Sequence, residues 1–293
     1  MKKLLIIIGS VLFVIIAASG LLFWEQYQRI MAMEIIRYDP QLMIYLGGGG
    51  NTIVLTSEDG SRALIIDTKM FSGSKKLRES VKAGDTIIVN THSHWDHTGG
   101  NPLFPSAKFI AGAYTREQWD RDSAGVKYPD MVLKPGVEWT IRIGNETVRI
   151  RNMGRAHTWN DVVVYCENRK LLVTGDLVFI SMHPALSAKS GAHVASWISV
   201  LDRLSKMYDI KTLVPGHGVV AGRNGLLAMR DYFVSISDAI DNPEKLAALK
   251  EKYKNYSSIP LISGCDETIK YIEKEKKADR SVPVVEKKLM MGH

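Results

Sequence analysis

Apolar runs separated by glycine-rich turns alternate with amphipathic stretches along most of this chain, a pattern typical of a mixed α/β domain. Two of these runs flank the turn Glu58-Asp59-Gly60-Ser61 and predict a hairpin after the glycine run 47–50. Strands are predicted at residues 52–56, 63–67, 86–90, 108–111, 147–152, 162–166, 170–174 and 212–215. Apolar positions spaced about 3.6 residues apart predict helices at 75–83, 113–122, 195–207, 225–241, 243–254 and 266–277.

The beginning of the chain follows a different pattern. Lys2 and Lys3 precede a run from Leu4 to Trp24 that carries no charge. At about 1.5 Å per residue, a helix of this length crosses a hydrocarbon core of about 30 Å, and the leading lysines favour a cytoplasmic N-terminus. The run therefore predicts a membrane anchor, with the rest of the chain on the extracytoplasmic face. The alternatives are a signal peptide cleaved near the small residues 17–20, which would leave a secreted or periplasmic protein, and a buried N-terminal helix.

The composition narrows the possible classes of protein. Hydrophobic residues make up 45% of the chain and charged residues 24%, which excludes a disordered, collagen-like or multi-span membrane protein. The net charge of +7 favours anionic surfaces or substrates but is too diffuse to predict nucleic-acid binding. Cys166 and Cys265 are the only cysteines, so a disulfide framework and a CxxC metal site are excluded. The two thiols are either paired or free, and no oligomeric state is predicted.

The densest group of potential metal ligands lies directly after the predicted strand 86–90. The segment THSHWDHTGG, residues 91–100, contains three of the chain's eight histidines and an aspartate. Side chains two apart in an extended loop point the same way, so His92 and His94 can reach one ion together. A turn or a helix start can redirect Asp96 and His97 toward a second ion.

Three further residues of ligand type each follow an apolar run: His157 in GRAHT, Asp176 in TGD and His217 in PGHG. Each one alone is typical of a turn or loop. In chain order after the HxHxDH string, however, they make residues 38–232 resemble the metallo-β-lactamase-fold superfamily of metallohydrolases. The strand end 65–68 and the closing segment 214–218 are also similar to that family's motifs. The resemblance implies an αββα sandwich with metals at one edge of the two sheets.

The resemblance also implies a set of metal ligands. One metal would be held by His92, His94 and His157, the other by Asp96, His97 and His217, with Asp176 bridging them. Asp67 resembles the family's aspartate that orients a ligand histidine by hydrogen bonding, and it is not counted as a ligand. Histidine and carboxylate donors suit two zinc ions, with iron or manganese as alternatives.

The activity implied is that of a dinuclear metal-dependent hydrolase. A metal-bridging hydroxide would attack an ester, thioester, lactone or phosphoester, with Asp96 and Asp176 as the catalytic residues. Typical β-lactamases of the family generally lack a bridging aspartate, whereas glyoxalase II-type thioester hydrolases share the whole ligand set. The alternatives are a mononuclear-iron persulfide dioxygenase and a noncatalytic metal-stabilised binding domain.

Specificity for a small-molecule substrate is expected to come from the irregular segment 177–197, unless that segment is an ordinary surface connection. Its candidate pocket residues are His183, Lys189 and His193. The predicted organisation is an anchor or signal at 1–24, a tether at 25–37, a catalytic domain at 38–241, and a C-terminal helical extension with a charged tail at 242–293.

Overall fold

The computed structural model describes residues 19–20, 24–25, 27–28, 31–259 and 262–281. Most of the predicted anchor or signal over residues 1–24 therefore lies outside the described residues, as does the charged tail after residue 281. Among the residues that are described, no helix is long and apolar enough to cross a membrane.

The strands form two sheets. The first sheet contains, in both chain and spatial order, β1 (Met33–Arg37), β2 (Leu42–Gly47), β3 (Thr52–Thr56), β4 (Arg62–Ile66), β5 (Asp85–Val89), β6 (Lys108–Gly112) and β7 (Met131–Leu133). Strands β1 to β4 pair antiparallel, and β4 to β7 pair parallel. The second sheet contains β8 (Glu138–Ile143), β9 (Glu146–Gly154), β10 (Asp161–Cys166), β11 (Leu171–Phe179) and β12 (Thr212–His217), in the spatial order β12-β11-β10-β9-β8. Here β11 and β12 are parallel and the other neighbours are antiparallel.

The helices named here lie between and after these strands along the chain. They are α1 (Phe71–Ser80), α2 (Trp95–Thr98), α3 (Arg116–Asp122), α4 (Val194–Met207), α5 (Arg223–Ala239), α6 (Pro243–Lys252) and α7 (Cys265–Ser281). The local sequence explains where two of these helices begin. Thr115 and Gln118 form a reciprocal capping box at α3, and the Asn242 side chain accepts from the third residue of α6, which begins with proline.

Alternation of side chains along the strands produces the layers. In β4, Leu64 and Ile66 face the core between the two sheets, while Ala63 and Ile65 face the layer that contains α1. In the second sheet, the even-numbered positions of β10 face the inter-sheet core and the odd-numbered ones face α4 and α5. The result is a mixed α/β sandwich with helices on both outer faces, as the family resemblance implied.

Two features of the structure bear on the predicted domain boundaries. The tether predicted at residues 25–37 ends in strand β1, whose largely exposed side chains leave no strong alternating pattern to detect. At the other end of the chain, Tyr253, Ile269 and Ile272 belong to the same core cluster as Trp197 of α4. The described part of the C-terminal extension therefore completes the second sheet's helical layer and does not form a separate core. Both cysteines are free thiols.

Candidate metal centre

Strand ends bring the sequence-predicted ligands to one edge of the sandwich. His92 follows β5, His157 follows β9, and His217 is the last residue of β12. Asp176 lies inside β11, because this strand extends to Phe179 and does not end at residue 174 as predicted. A Cβ atom at Gly216 would lie 2.0 Å from Asp176 Oδ1, so the neighbouring strand needs glycine at that position.

The loop after β5 divides its ligands between two directions. His94 has an extended backbone and forms the N-cap of α2, and its carbonyl accepts hydrogen bonds from the backbone of His97 and Thr98. The helix start turns Asp96 and His97 away from the extended segment that carries His92. This is the change of direction that the residue spacing predicted.

The first group of candidate ligand atoms consists of three ring nitrogens and one carboxylate oxygen. The His94 Nδ1 atom lies 3.1 Å from His92 Nε2 and 3.0 Å from His157 Nε2. The Asp176 Oδ2 atom lies 3.3 Å from His157 Nε2 and 3.8 Å from His92 Nε2. Three of these residues are buried, and His94 is half-buried.

The second group is richer in carboxylate. The Asp96 Oδ2 atom lies 3.1 Å from His217 Nε2 and 3.5 Å from His97 Nε2, and the two ring nitrogens are 3.4 Å apart. The other oxygen of Asp176, Oδ1, lies 3.0 Å from His97 Nε2 and 3.5 Å from His217 Nε2. Asp176 therefore presents one oxygen to each group.

The donor set fits metal ions. Zinc–nitrogen bonds of about 2.0–2.1 Å in a tetrahedron place neighbouring ligand atoms about 3.3 Å apart, close to the separations within both groups. The hydrogen bond of 2.7 Å between His97 Nδ1 and Asp67 Oδ2 places the proton of a neutral imidazole on Nδ1. A lone pair on Nε2 then faces the oxygens of Asp96 and Asp176, and only a proton or a metal cation can satisfy this arrangement.

The two groups differ in their proton affinity. Burial lowers the pKa of His157 to about 3 despite the nearby Asp176, and it lowers the pKa of His92 well below the ordinary histidine value. Burial also opposes protonation in the second group, but Asp176 and Asp96 outweigh it and raise the pKa of His217 to about 9. The same carboxylates and Asp67 hold the pKa of His97 well above its ordinary value.

Asp67 holds His97 of the second group in place through a hydrogen bond. Its Oδ1 accepts from the backbone N–H of Thr91 at 2.8 Å, and its Oδ2 accepts from the Thr91 hydroxyl at 2.7 Å as well as pairing with His97. The residue has a φ of +62°, a left-handed conformation that aspartate tolerates better than most residues. Asp67 is thus placed to fix the His97 ring, the role that the family resemblance implied.

Lys69 is a supporting residue that no sequence pattern indicated. Its side chain is buried, and its ammonium donates to the carbonyls of Tyr45 at 2.8 Å, Gly47 at 2.5 Å and Gly50 at 2.9 Å. The Gly50 N–H donates to the Asp96 carbonyl, and a Cβ atom on Gly50 would lie 2.2 Å from the His97 ring. Lys69 therefore holds the glycine loop against the second group.

Asp122, at the end of α3, is a second supporting residue that the sequence did not indicate. It accepts from the Ser93 hydroxyl at 2.9 Å and from the Ser190 hydroxyl at 3.1 Å. Ser93 lies between two ligand histidines, and Ser190 lies in the segment predicted to form a pocket wall. Asp122 thus joins the ligand loop to that segment.

The three predicted pocket residues have different surroundings. His183 is buried, with its Nδ1 atom 2.8 Å from the Tyr232 hydroxyl, so it helps to pack the segment against α5. His193 is the N-cap of α4, where its Nδ1 accepts from the Ser196 N–H. These contacts account for both histidines as structural residues, whereas Lys189 is exposed and keeps its place as a candidate substrate contact.

The family model that describes the metallo-beta-lactamase superfamily matches residues 45–217, more than half of the chain. The chain belongs to this superfamily. A relative is the metallo-beta-lactamase type 2 of Bacillus cereus, 29% identical over 160 residues that cover 54% of this chain and 59% of the relative. Another is metallo-beta-lactamase IND-1 of Chryseobacterium indologenes, 32% identical over 133 residues that cover 44% and 54%. The chain thus spans between half and two thirds of the length of these two relatives.

Solved structures have the same fold. A metallo-beta-lactamase from Pontibacter korlensis superposes with a TM-score of 0.60 at 21% identity, covering 69% of this chain and 99% of that one. The sec-alkylsulfatase Pisa1 from Pseudomonas sp. gives a TM-score of 0.65 at 15% identity, covering 86% and 51%. Membership of the superfamily and the His/Asp cluster together support a metal-dependent hydrolase.

Proposed function

We propose that this protein is a dinuclear metal-dependent hydrolase that acts on an ester, thioester, lactone or phosphoester. The observation that carries the proposal is the position of Asp176, whose Oδ2 lies 3.3 Å from His157 Nε2 and whose Oδ1 lies 3.0 Å from His97 Nε2. A carboxylate with one oxygen in each group suits two ions at a short, fixed separation. The donors favour zinc, with iron and manganese as chemically acceptable alternatives.

The residues of the two groups have different roles in the proposed reaction. When bound, a pair of ions of this kind lowers the pKa of water and polarises a carbonyl or phosphoryl oxygen. The first group offers buried, neutral imidazoles as ready ligands. In the second group, Asp96 and His217 have side chains 29% and 21% exposed, so substrate reaches the centre on their side. We assign Asp96 the further role of orienting the attacking water by accepting a hydrogen bond from it.

The names of the curated relatives make β-lactam hydrolysis the main competing activity. The bridging position of Asp176 argues against it, because typical β-lactamases of the superfamily generally lack an aspartate there. A panel of soluble ester, thioester, lactone, phosphoester and β-lactam substrates separates these activities.

The deciding experiment is elemental mass spectrometry of the full chain, purified in detergent without chelator. We expect about two zinc ions per chain, about one or fewer in Asp176→Ala, and hydrolysis of a non-β-lactam substrate that Asp176→Ala abolishes. Asp130→Ala, at a surface aspartate paired with Lys127, is the matched control and should keep both ions. One iron per chain with oxygen consumption on a persulfide would favour the dioxygenase. No metal after reconstitution would favour a noncatalytic binding domain, and β-lactam hydrolysis alone would overturn the substrate class.

We also propose that the charge-free run 4–24 anchors the chain in a membrane, with the metal centre on the extracytoplasmic face. The support is its length, its lack of charge and the preceding Lys2 and Lys3. Resistance of the membrane-bound chain to high-salt and alkaline extraction is the expected result. Release by salt would rule out an integral anchor, and a mature N-terminus near Gly20 would show that the run is a cleaved signal.

A further inference from the structure

We propose that four aromatic side chains beside the metal centre contact the surface of a lipid bilayer, so that the centre acts on amphiphilic substrates held in that bilayer. These side chains, called the aromatic ridge below, are Trp24, Tyr27, Phe71 and Trp95. The inference rests on the membrane anchor and the hydrolase proposed above, and it adds a contact surface and a substrate class to them.

The ridge is a continuous series of ring contacts. The Trp24 and Tyr27 ring centroids are 5.8 Å apart, and the Tyr27 and Phe71 centroids are 6.5 Å apart. Phe71 meets Trp95 edge to face at 4.6 Å. Trp95 lies between the ligands His94 and Asp96. The ridge therefore leads from the last residue of the charge-free run to the ligand loop.

The ridge exposes large apolar surface. Trp24 is 57% exposed and Phe71 is 55% exposed, while Trp95 is half-buried. Phe71 also has a φ of +46°, a left-handed backbone conformation that bulky side chains rarely adopt. Such backbone outliers cluster at functional sites, and exposed apolar patches mark surfaces that bind partners or membranes.

The sequence next to the ridge identifies the bilayer as its partner. The apolar run 4–24 ends at Trp24, and tryptophan and tyrosine concentrate where a membrane meets water. Lys75 and Lys76 are exposed on α1, which begins at Phe71, and Lys75 lies one helical turn after that ring. Cationic groups beside exposed aromatic rings suit a surface that contains anionic lipid.

The position of Trp95 connects this surface to the reaction. Trp95 precedes Asp96, one of the two partly exposed members of the second ligand group. A substrate that approaches past Trp95 can keep its hydrocarbon chain in the bilayer while its head group reaches the ligands. The expected substrates are therefore esters or phosphoesters of membrane amphiphiles, with the scissile bond near the head group.

Tryptophan quenching by brominated lipid tests the contact. The full chain is reconstituted into vesicles of phosphatidylcholine and phosphatidylglycerol that carry bromine on acyl carbons close to the head group. We expect Trp95→Phe to reduce the quenched fraction of the fluorescence. Trp139→Phe, which removes a half-buried tryptophan from β8 that is away from the ridge, should not lower that fraction. Equal quenched fractions in the wild type and Trp95→Phe would overturn the proposal.

A second variant covers the case in which Trp95→Phe does not fold. Phe71→Asp places a charge on the ridge and should also reduce the quenching of Trp95. Val137→Asp, at an apolar residue 43% exposed beside β8, is its matched control and should have no effect. A Phe71→Asp protein quenched as strongly as the wild type would overturn the proposal.

Separate readouts distinguish failure of the earlier proposals. Trp24→Phe reports on the anchor, because Trp24 ends the charge-free run and would meet the bilayer with or without the rest of the ridge. Metal content reports on the dinuclear site. Quenching of Trp24 without quenching of Trp95 rejects the ridge and keeps the anchor. Quenching of Trp95 in a chain without two metals keeps the ridge and rejects the hydrolase.

Discussion

The two ligand groups, about equal in size, differ in charge and exposure. The first consists of three imidazoles with one oxygen of Asp176, and burial favours their neutral form. The second has the other oxygen of Asp176, a second carboxylate and two imidazoles whose pKa values are raised. The first group is therefore prepared for a cation at neutral pH, whereas the second holds protons that a cation must displace. The two neighbouring sites therefore differ in how metal binding depends on the protonation of their histidines.

The largest expected difference between the groups comes from removing one ligand from each. His92→Ala should lower metal affinity at the first group by more than about 100-fold, and it should also weaken the second ion, because Asp176 would lose its bridging partner. His217→Ala should retain about one ion per chain. Elemental mass spectrometry of the two variants side by side gives the comparison. Equal loss of metal in both variants would contradict the predicted difference between the two groups.

Removing the support beneath the second group should have a smaller effect that is confined to it. Asp67→Asn removes the carboxylate that holds His97 Nδ1, and loss of such a partner typically weakens metal binding about 10–100-fold. Competition with a chromophoric chelator should show the weakening at one of two sites. Asp202→Asn, at a surface aspartate paired with Arg230, is the control and should bind like the wild type. Weakening at both sites would mean that Asp67 stabilises the whole ligand loop.

Lys69→Met should lower both the stability of the fold and metal binding at the second group. The variant keeps the length of the side chain but leaves three buried carbonyls without their donor, and each unsatisfied group costs about 1–3 kcal/mol. We expect a loss of at least about 2 kcal/mol in the free energy of unfolding and preferential loss of the ion near His97. Denaturant unfolding and metal content measure both. Lys134→Met, at an exposed lysine, should change neither, and a Lys69→Met protein as stable as the wild type would contradict the assigned role.

The pH dependence of metal binding should differ between the groups by at least about tenfold per pH unit, one factor of ten for each proton displaced. The pKa of His217 is raised to about 9 in the metal-free protein, so a cation must displace its proton, and affinity should rise with pH until about pH 9. The pKa of His157 is lowered to about 3, so its protonation does not oppose binding at the first group above about pH 5.

The stability of the metal-free fold should change with pH in the opposite direction to metal affinity at the second group. The raised pKa of His217 stabilises the metal-free fold fully below its ordinary value of 6.5, and this contribution is lost as the pH rises through about 9.

Titration calorimetry at pH 6, 7 and 8 in buffers of different ionisation enthalpy gives the number of protons released with each ion. We expect release to accompany mainly the second ion. Proton release shared equally between the two ions would remove the distinction between the groups.

Local patterns in the sequence were sufficient for most of the fold, whereas the seven candidate ligand positions came from the family resemblance. The helices and most strands follow from apolar periodicity, and the residues of segment 91–97 are close enough in the chain for spacing alone to divide them. The two supporting residues depend on distant contacts. The three carbonyls bound by Lys69 lie 19 to 24 positions away, and Asp122 contacts hydroxyls 29 and 68 positions away. A single charged residue in a loop or at a helix end gives no local indication of such partners. The exposed edge strand β1 lacks the alternating burial that would reveal it.

The smallest expected effect concerns the first group and uses a matched pair of serines. Ser93 and Ser190 both donate to Asp122, but only Ser93 lies in the ligand loop, between His92 and His94. Ser93→Ala removes one hydrogen bond to a carboxylate, worth about 1.5 kcal/mol or more. Because only part of this energy acts on the neighbouring ligands, the variant should weaken the ion at the first group by about fivefold. Ser190→Ala removes the same kind of bond and should leave both ions unchanged. Metal competition at pH 8, where proton displacement interferes least, is the measurement. If the two variants weakened binding equally, Asp122 would couple the segment around Ser190 to the ligand loop, and the first group would depend on that segment as the second depends on Lys69.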